Sequence, residues 1–342
     1  MLSRLRSFLS IACLIAFAGR LQADPAADLK SFSVFKDVNL EKLASGTIMA
    51  ARGAAMASPR DLAIETCYVV RKPLQKTADL HVQWNPARHS ELKVFLHGDL
   101  SIPPTPAQFQ QLSAAPANSA VKWLNSATEK LDAGTGPLQL SAAEAKAFKA
   151  DAGSGRGGLS PAAAAFWSNL LHRRAEAFLT GGMSRLPAYE FKGETVRTSE
   201  EVARLLKEAP KVRTQFAGLL EATPLAGGKG SITPAAYWEM FDAEGEAALN
   251  LGVSYYRAGT STWQGVDAQY YASGAYYALL TFYQMWPVTI GGQECTLVWR
   301  ADLISAQSLA TLHGVERMGS GTAMMRETQK TIKSLLDDAK AK

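Results

Sequence analysis

Residues 276–305 read Tyr276-Tyr277-Ala278-Leu279-Leu280-Thr281-Phe282-Tyr283-Gln284-Met285-Trp286-Pro287-Val288, then Thr289-Ile290-Gly291-Gly292-Gln293, then Glu294-Cys295-Thr296-Leu297-Val298-Trp299-Arg300-Ala301-Asp302-Leu303-Ile304-Ser305. Two runs rich in aromatic and β-branched residues flank a Gly-Gly pair, the pattern of a β-hairpin. A two-residue turn at Gly291-Gly292 sets Ile290 against Gln293, and every later pair follows. Leu280, Phe282, Trp286 and Val288 then share a face with Cys295, Leu297, Trp299, Ala301 and Leu303. The opposite face carries Thr281, Tyr283 and Met285 beside Glu294, Thr296, Val298, Arg300 and Asp302. One face is apolar and the other amphipathic, as in an antiparallel sheet with one side in the core.

Outward from the hairpin, a loop over Ala306–Gly321 precedes an amphipathic helix over Thr322–Ala339. Met325, Thr328, Ile332, Leu335 and Leu336 mark one face of it. Leu249–Tyr256 and Ala268–Tyr277 read as further strands. Near the other end of the chain, Leu62–Arg71 is β-rich and stops at Lys72-Pro73. Leu74–Gln83 reads as a short helix broken by Trp84-Asn85-Pro86, and Leu92–Leu96 as a second strand. Residues 29–56 suggest one or two short strands or a short helix.

The middle differs in kind. Pro103-Pro104-Thr105-Pro106 is a linker into an Ala-rich stretch with repeated helix starts. Thr105/Gln108, Ser141/Glu144 and Thr198/Glu201 have capping-box spacing, and Ser160-Pro161 and Thr233-Pro234 place Pro at a first helical position. Helices are expected over 106–114, 118–131, 142–150, 161–179, 200–222 with a break near Pro210, and 234–243. The Gly-rich stretch 153–158 follows no strand and lacks Gly-Lys-Ser/Thr, so it does not read as a phosphate loop. The expected fold class is α+β: an antiparallel sheet, a long C-terminal helix packed on it, and a large Ala-rich helical insertion. Residues 24–342 would form a single elaborated domain, with 24–100 and 245–342 giving the sheet and closing helix and 101–244 the insertion.

Residues 1–23 read as a secretory signal peptide. Arg4 and Arg6 precede an apolar run from Phe8 to Ala18 that is too short to span a membrane, and cleavage is expected after Ala23. A lipoprotein reading through Cys13 fits less well, because that cysteine sits inside the apolar run. Arg4, Arg6 and Arg20 leave with the signal and no acid does, so 33 basic and 31 acidic residues remain, a net of +2. This near-balance gives no support to nucleic-acid binding. No later run is apolar for long enough to cross a bilayer. The expected location is periplasmic or extracellular, where Cys67 and Cys295 could pair; the other reading is two buried thiols in strands.

Catalytic and metal motifs are thin. His81, His89 and His97 lie eight apart, which suits no common ligand spacing. There is no Gly-x-Ser-x-Gly elbow. Ser320 reads as a helix cap, against a remote alternative in which it joins His313 and Asp302 as a nucleophile. No catalytic residue, metal or cofactor is therefore assigned. The amphipathic hairpin face offers two readings: ordinary cross-strand pairing, or a cavity wall with Arg300 as an orienting group opposite Tyr283. The cavity candidates are Tyr277, Tyr283, Met285, Arg300, Met325 and Ile332. The aromatic load between Tyr255 and Trp286 also admits sugar stacking, although Tyr-rich strands are simply good strands.

The order strand Ile64–Arg71, Pro73-led helix to Trp84, strand Leu92–Leu96, and hairpin 276–305 followed by helix 322–339 resembles the START-like (helix-grip) superfamily. The resemblance covers under half the chain and rests on element order, with the helical insertion and the long loop before the last helix as departures. It implies a cavity for a lipid-like or polycyclic ligand between sheet and helix. Three functions stand from the sequence: non-catalytic binding of an apolar small molecule, an envelope interaction or scaffold protein, and a hydrolase with a dispersed site.

Overall fold

The structure is a computed structural model, and it describes residues 24–131, 136–148, 158–191, 193–228 and 230–341. The proposed signal segment 1–23, and most of the Gly-rich stretch 153–158, lie outside the described residues.

The strands are β1 (Met49–Arg52), β2 (Asp61–Val70), β3 (Val94–Leu100), β4 (Tyr189–Phe191), β5 (Glu194–Val196), β6 (Ala235–Ala243), β7 (Glu246–Ala258), β8 (Trp263–Ala272), β9 (Ala278–Ile290) and β10 (Gln293–Ser305). Eight of them form one antiparallel sheet in the order β1-β2-β10-β9-β8-β7-β6-β3, and β4–β5 is a separate small hairpin. The fold is α+β. β9 and β10 pair along their whole length from Ile290↔Gln293 to Ala278↔Ser305, the register the turn predicts. Gly291 and Gly292 have φ of +56° and +77°, the left-handed conformations a two-residue type I′ turn requires at both positions.

The apolar face of the sheet is closed by the N-terminal helix Pro25–Phe32 and by the helical insertion. Phe282, Trp286, Leu297 and Trp299 meet Phe32, Phe216, Leu205 and Trp167 in one continuous core. Phe32 stands edge-on to Trp299 with ring centroids 4.8 Å apart. The insertion is tied to the sheet by a buried ion cluster. Arg204, on helix Thr198–Glu208, donates through Nε to Asp61 Oδ2 (2.7 Å) and through Nη2 to Ser305 Oγ (2.9 Å), while Nη1 reaches Glu201 Oε1 (3.0 Å). Asp61 and Ser305 are the paired ends of β2 and β10.

The other face is covered by the helix Leu74–Gln83 and by the last helix, Gly314–Ala341. Ile332, Leu335, Leu336 and Ala339 recur at helical spacing and pack on Tyr68, Val70, Trp263, Met285 and Val298. Asp338 accepts from Trp84 Nε1 (3.1 Å) and sits 3.0 Å from His89 Nε2, and Ser334 Oγ donates to Glu91 Oε1 (2.7 Å).

Several sequence expectations change. Residues 234–243, read as a helix, are β6: Trp238 and Met240 enter the core while Tyr237 and Glu239 face the other way. Thr233-Pro234 and two alanines imitate a helix start, but nonlocal pairing with β3 and β7 wins. The last helix begins at Gly314 rather than Thr322, so Ser320 is interior to it and donates to the Arg317 carbonyl (2.9 Å) instead of capping. Residues 106–114 are helical but of the 3₁₀ kind. Cys67 and Cys295 are both free and buried. The register sets Cys67 against Trp299, four residues from Cys295. That is about 13 Å along the strand, well beyond the roughly 7 Å a disulfide can bridge.

Replacing Gly291 by Val forces a β-branched residue to positive φ with nothing to compensate, and should lower unfolding free energy by about 1–2 kcal/mol. Gly291→Asn should stay within about 0.5 kcal/mol of the parent, since Asn-Gly suits the same turn. Urea denaturation followed by tryptophan fluorescence measures both.

Candidate functional site

Alternation along the strands makes the sheet two-sided. From β3 to β10 the face under the last helix carries His97 and Asp99; Tyr237 and Glu239; Asn250, Ser254 and Tyr256; Trp263, Gly265, Asp267 and Gln269; Thr281 and Tyr283; Arg300 and Asp302; β2, next to β10, adds Thr66 and Tyr68. Here a polar surface is covered by helices without being filled. A cleft of about 410 Å³ remains, with the sheet as its floor. His81, Trp84, Arg88 and Leu92 bound it on one side, and Thr331, Ile332 and Leu335 of the last helix on the other.

Most charges inside are paired. Arg300 Nη2 donates to Asp302 Oδ1 (2.7 Å) and Nε to Oδ2 (2.9 Å), and Thr281 Oγ1 donates to the same Oδ1 (2.7 Å). The two residues are two apart on one strand, so their side chains lie side by side on the cleft face. Burial works against the charged form of Arg300, but the adjacent Asp302 outweighs it and holds the guanidinium charged. The guanidinium also lies 5.6 Å from the Tyr283 ring centroid.

A second pair stands on the edge strands. His97 Nδ1 meets Glu239 Oε1 at 3.1 Å, and Asn250 Nδ2 donates to Glu239 Oε2 (3.2 Å). Burial depresses the His97 pKa, but the Glu239 hydrogen bond and the Glu239 and Asp99 charges overcome it and raise it above the usual imidazole value. His81 is the opposite case. Its Nδ1 lies 2.8 Å from the Thr77 carbonyl and must donate there, which leaves Nε2 to accept from the Tyr68 hydroxyl (2.9 Å). Burial pushes its pKa down to about 4, so it is neutral at physiological pH.

Asp267 completes the set and is different. Its Oδ1 accepts from the Tyr237 hydroxyl (2.9 Å) and its Oδ2 from Ser254 Oγ (2.5 Å). Among the described residues no Lys, Arg or His lies within ion-pair distance of it. Burial pushes its carboxyl up to about 6, against the pull of the two hydroxyls and of Arg300, with Glu239 adding to the rise. The floor beside it is shaped by two glycines on the same face. A Cβ at Gly252 would run into the Tyr237 ring, and one at Gly265 would lie 2.9 Å from the Trp263 ring. Both rings therefore lie down on bare backbone. Trp263 stacks on Tyr256 with centroids 5.1 Å apart and planes 26° from parallel.

The candidates read from the sequence divide between the cleft and other places. Tyr283, Arg300 and Ile332 line the cleft. Met285 is fully buried in the apolar cluster under the last helix. Tyr277 packs with Tyr189, Phe191 and Val196 of the small hairpin and beneath the Arg60 guanidinium. Met325 is half-buried on the last helix and is not among the cleft-lining residues. The Ser320–His313–Asp302 arrangement is not assembled: Asp302 is engaged by Arg300 and Thr281, and Ser320 by its own helix. The eight-residue spacing of His81, His89 and His97 did carry information of another sort, since His81 and His97 line the cleft and His89 holds its covering helix. Sequence reasoning missed Tyr237, Glu239, Ser254 and Asp267. The signal was the alternation Trp263, Gly265, Asp267, Gln269 against Val266, Ala268, Tyr270, and the same alternation in β6.

Among the described residues no group of three His, Cys, Asp or Glu is placed to hold a metal, and no helix is long and apolar enough to cross a membrane. No family model, no curated protein and no solved structure matches this chain.

The raised carboxyl of Asp267 fixes the sign of its linkage to stability. A group that binds its proton more tightly when folded contributes fully below the ordinary carboxylate range, and that contribution is lost as pH rises through about 6. The groups facing it are Tyr237 and Glu239 from β6, Tyr256 from β7, Tyr283 from β9 and Arg300 with Asp302 from β10, with His97 of β3 and His81 of the helix Leu74–Gln83 further along the same lining. Asp267→Asn should therefore stabilise the protein at pH 8 by about 1–2 kcal/mol, with the advantage fading below about pH 5. Urea unfolding across that range measures it.

Proposed function

We propose that the chain is a non-catalytic binding protein of the periplasm or extracellular space, and that its ligand is a small molecule with an apolar body held between the sheet and the last helix. The observation that carries this reading is the asymmetry of the sheet. One face meets the insertion in a continuous apolar core, with a polar recess of about 330 Å³ at its Gln264 and Gln284 edge, whereas the other is covered by helices and left with about 410 Å³ of space over a polar floor. A covered but unfilled surface loses dispersion contacts and hydration together, and such a site is stable when a ligand supplies both. The lining suits that role. Trp84, Trp263, Tyr256, Ile332 and Leu335 present apolar surface, and Arg300, Tyr283, Tyr237 and Asp267 converge as a few polar groups that can orient a guest. The helix-grip resemblance, which element order alone carries, implies a ligand of the same kind. The location rests on the charged start and short apolar run of residues 1–23.

Native mass spectrometry of the mature protein purified from its own host, with extraction of whatever it retains, tests the proposal. A guest bound near one to one is expected. Thr331 lines the cleft from the half-exposed side of the last helix, so Thr331→Trp should fill the space, displace the guest and leave the melting temperature within a few degrees. A guest retained unchanged by Thr331→Trp would place it outside the cleft, and a protein that is empty under gentle isolation would favour the envelope-interaction reading.

A further inference from the structure

The cleft face contains an unbalanced charge. Arg300 is neutralised by Asp302, and both Glu239 oxygens are engaged, one by His97 and one by Asn250. His81 is held neutral by burial, and both of its ring nitrogens are taken by hydrogen bonds. Arg88 and Asp99 are exposed at the rim. Asp267 remains, a carboxylate lining the cleft that receives two neutral hydroxyls and, among the described residues, no cation. A half-buried carboxylate left so is costly, whereas one completed by a bound cation is among the stronger contacts a pocket can offer.

The surroundings of Asp267 favour the same sign of charge. Tyr256, directly across from Gly265, and Trp263, two residues before it, form a stacked pair whose outer faces bound the floor next to the carboxylate. Tyr283 stands across from Gly265 on the opposite side. Because Gly265 has no side chain, the Trp263 ring settles onto its backbone, and the stacked pair lies low beside the carboxylate as a wall for a guest. Aromatic faces attract cations through the ring quadrupole, most strongly where water is excluded. The two tyrosine hydroxyls nearest the site are weak acids held protonated by burial, so they add no competing charge. Tyr237 and Ser254 each occupy one lone pair on a different oxygen of Asp267, which leaves a further lone pair on each for an incoming N–H.

We infer that Asp267 anchors an organic ammonium group in a subsite walled by Tyr256, Trp263 and Tyr283, so that the ligand class is an amine carrying an apolar body. The inference rests on the reading of the cleft as a ligand site and narrows it. The ammonium donates to the free lone pairs of Asp267, and the apolar body extends along Ile332 and Leu335 toward the mouth at Val82 and Arg88. Arg300, already committed to Asp302, positions the floor and takes no part in ion pairing with the guest.

Isothermal titration of the full mature chain at pH 7.5 with three probes of equal shape tests this: 2-phenylethylamine, 2-phenylethanol and phenylacetate. The amine is expected to bind about tenfold or more tighter than the alcohol, with the carboxylate weakest. In Asp267→Asn the amine should fall to the affinity of the alcohol, while the alcohol changes by no more than about threefold. Tryptophan fluorescence should respond to the amine in the parent and lose most of that response in Trp263→Leu. Equal affinity for amine and alcohol in the parent, or an amine preference that survives Asp267→Asn, overturns the inference. Preferential binding of the alcohol or the carboxylate, abolished by Thr331→Trp, overturns the amine assignment and leaves the cleft reading standing. Binding of no probe by the parent, together with no guest in the protein from its own host, overturns both.

Discussion

The register of one hairpin decides what each face of this sheet can be. In β9 and β10 the side-chain period is two, so a slip of one residue at Gly291-Gly292 would exchange the faces. Phe282, Trp286, Leu297 and Trp299 would turn out of the core, and Arg300 and Asp302 would enter it. The apolar residues would lose burial worth roughly 2 kcal/mol or more each. The ion pair would sit in a medium where its desolvation exceeds its attraction. Two glycines at positive φ are the local device that prevents the slip. β2 and β8 then inherit the same face assignment by pairing with the hairpin on either side.

From that assignment comes a sheet with two chemistries. Carboxylates on the packed face are individually satisfied: Asp61 at its edge by Arg204, and Glu65 further in by Trp299 Nε1 (2.9 Å) and the Val34 amide (3.0 Å), which both donate to it. Even so, burial raises its pKa. The cleft face holds several charges, and its helices stand off from it. Long polar side chains there satisfy one another laterally along the sheet, Arg300 with Asp302 and Glu239 with His97, so no helix residue has to complete them. The covering helices instead make apolar contact at one end, through Ile332, Leu335 and Leu336 on Val70, Met285 and Val298. Space is left where the polar residues are. Asp267 is the point at which lateral pairing is incomplete, and a fold selected for stability alone has no reason to keep it charged.

Much of this was legible. The hairpin, its register and its apolar face follow from alternation around Gly-Gly. The helix Leu74–Gln83 was bounded correctly because Pro73 and the Trp84-Asn85-Pro86 break punctuate it on both sides. Arg300 and Tyr283 stood out as a facing pair on a strand already placed. The strand β6 was not legible, because its first residues carry a helix-start signal and its alternation is short. Asp267 was missed through a boundary error: a strand taken to begin at Ala268 leaves Asp267 in a loop, where a carboxylate attracts no attention. Tyr277 was chosen for its aromatic neighbourhood in sequence, but a hairpin contributed by the insertion claims it.

The sequence by itself determined the local and the periodic: an α+β chain, the central hairpin and its two faces, the amphipathic closing helix and the Ala-rich insertion. These depend on turn chemistry and on side-chain period, both of which act within a few residues. Only the tertiary structure decided which charges meet and which stay unpaired. Glu239 lies 142 residues from His97, and Asp267 is set among groups contributed by β6, β7 and β9. The separation of Cys67 from Cys295 is likewise a matter of strand register. Pairing across a sheet is a nonlocal event, chosen by the burial of whole faces, and no short stretch of this chain encodes it.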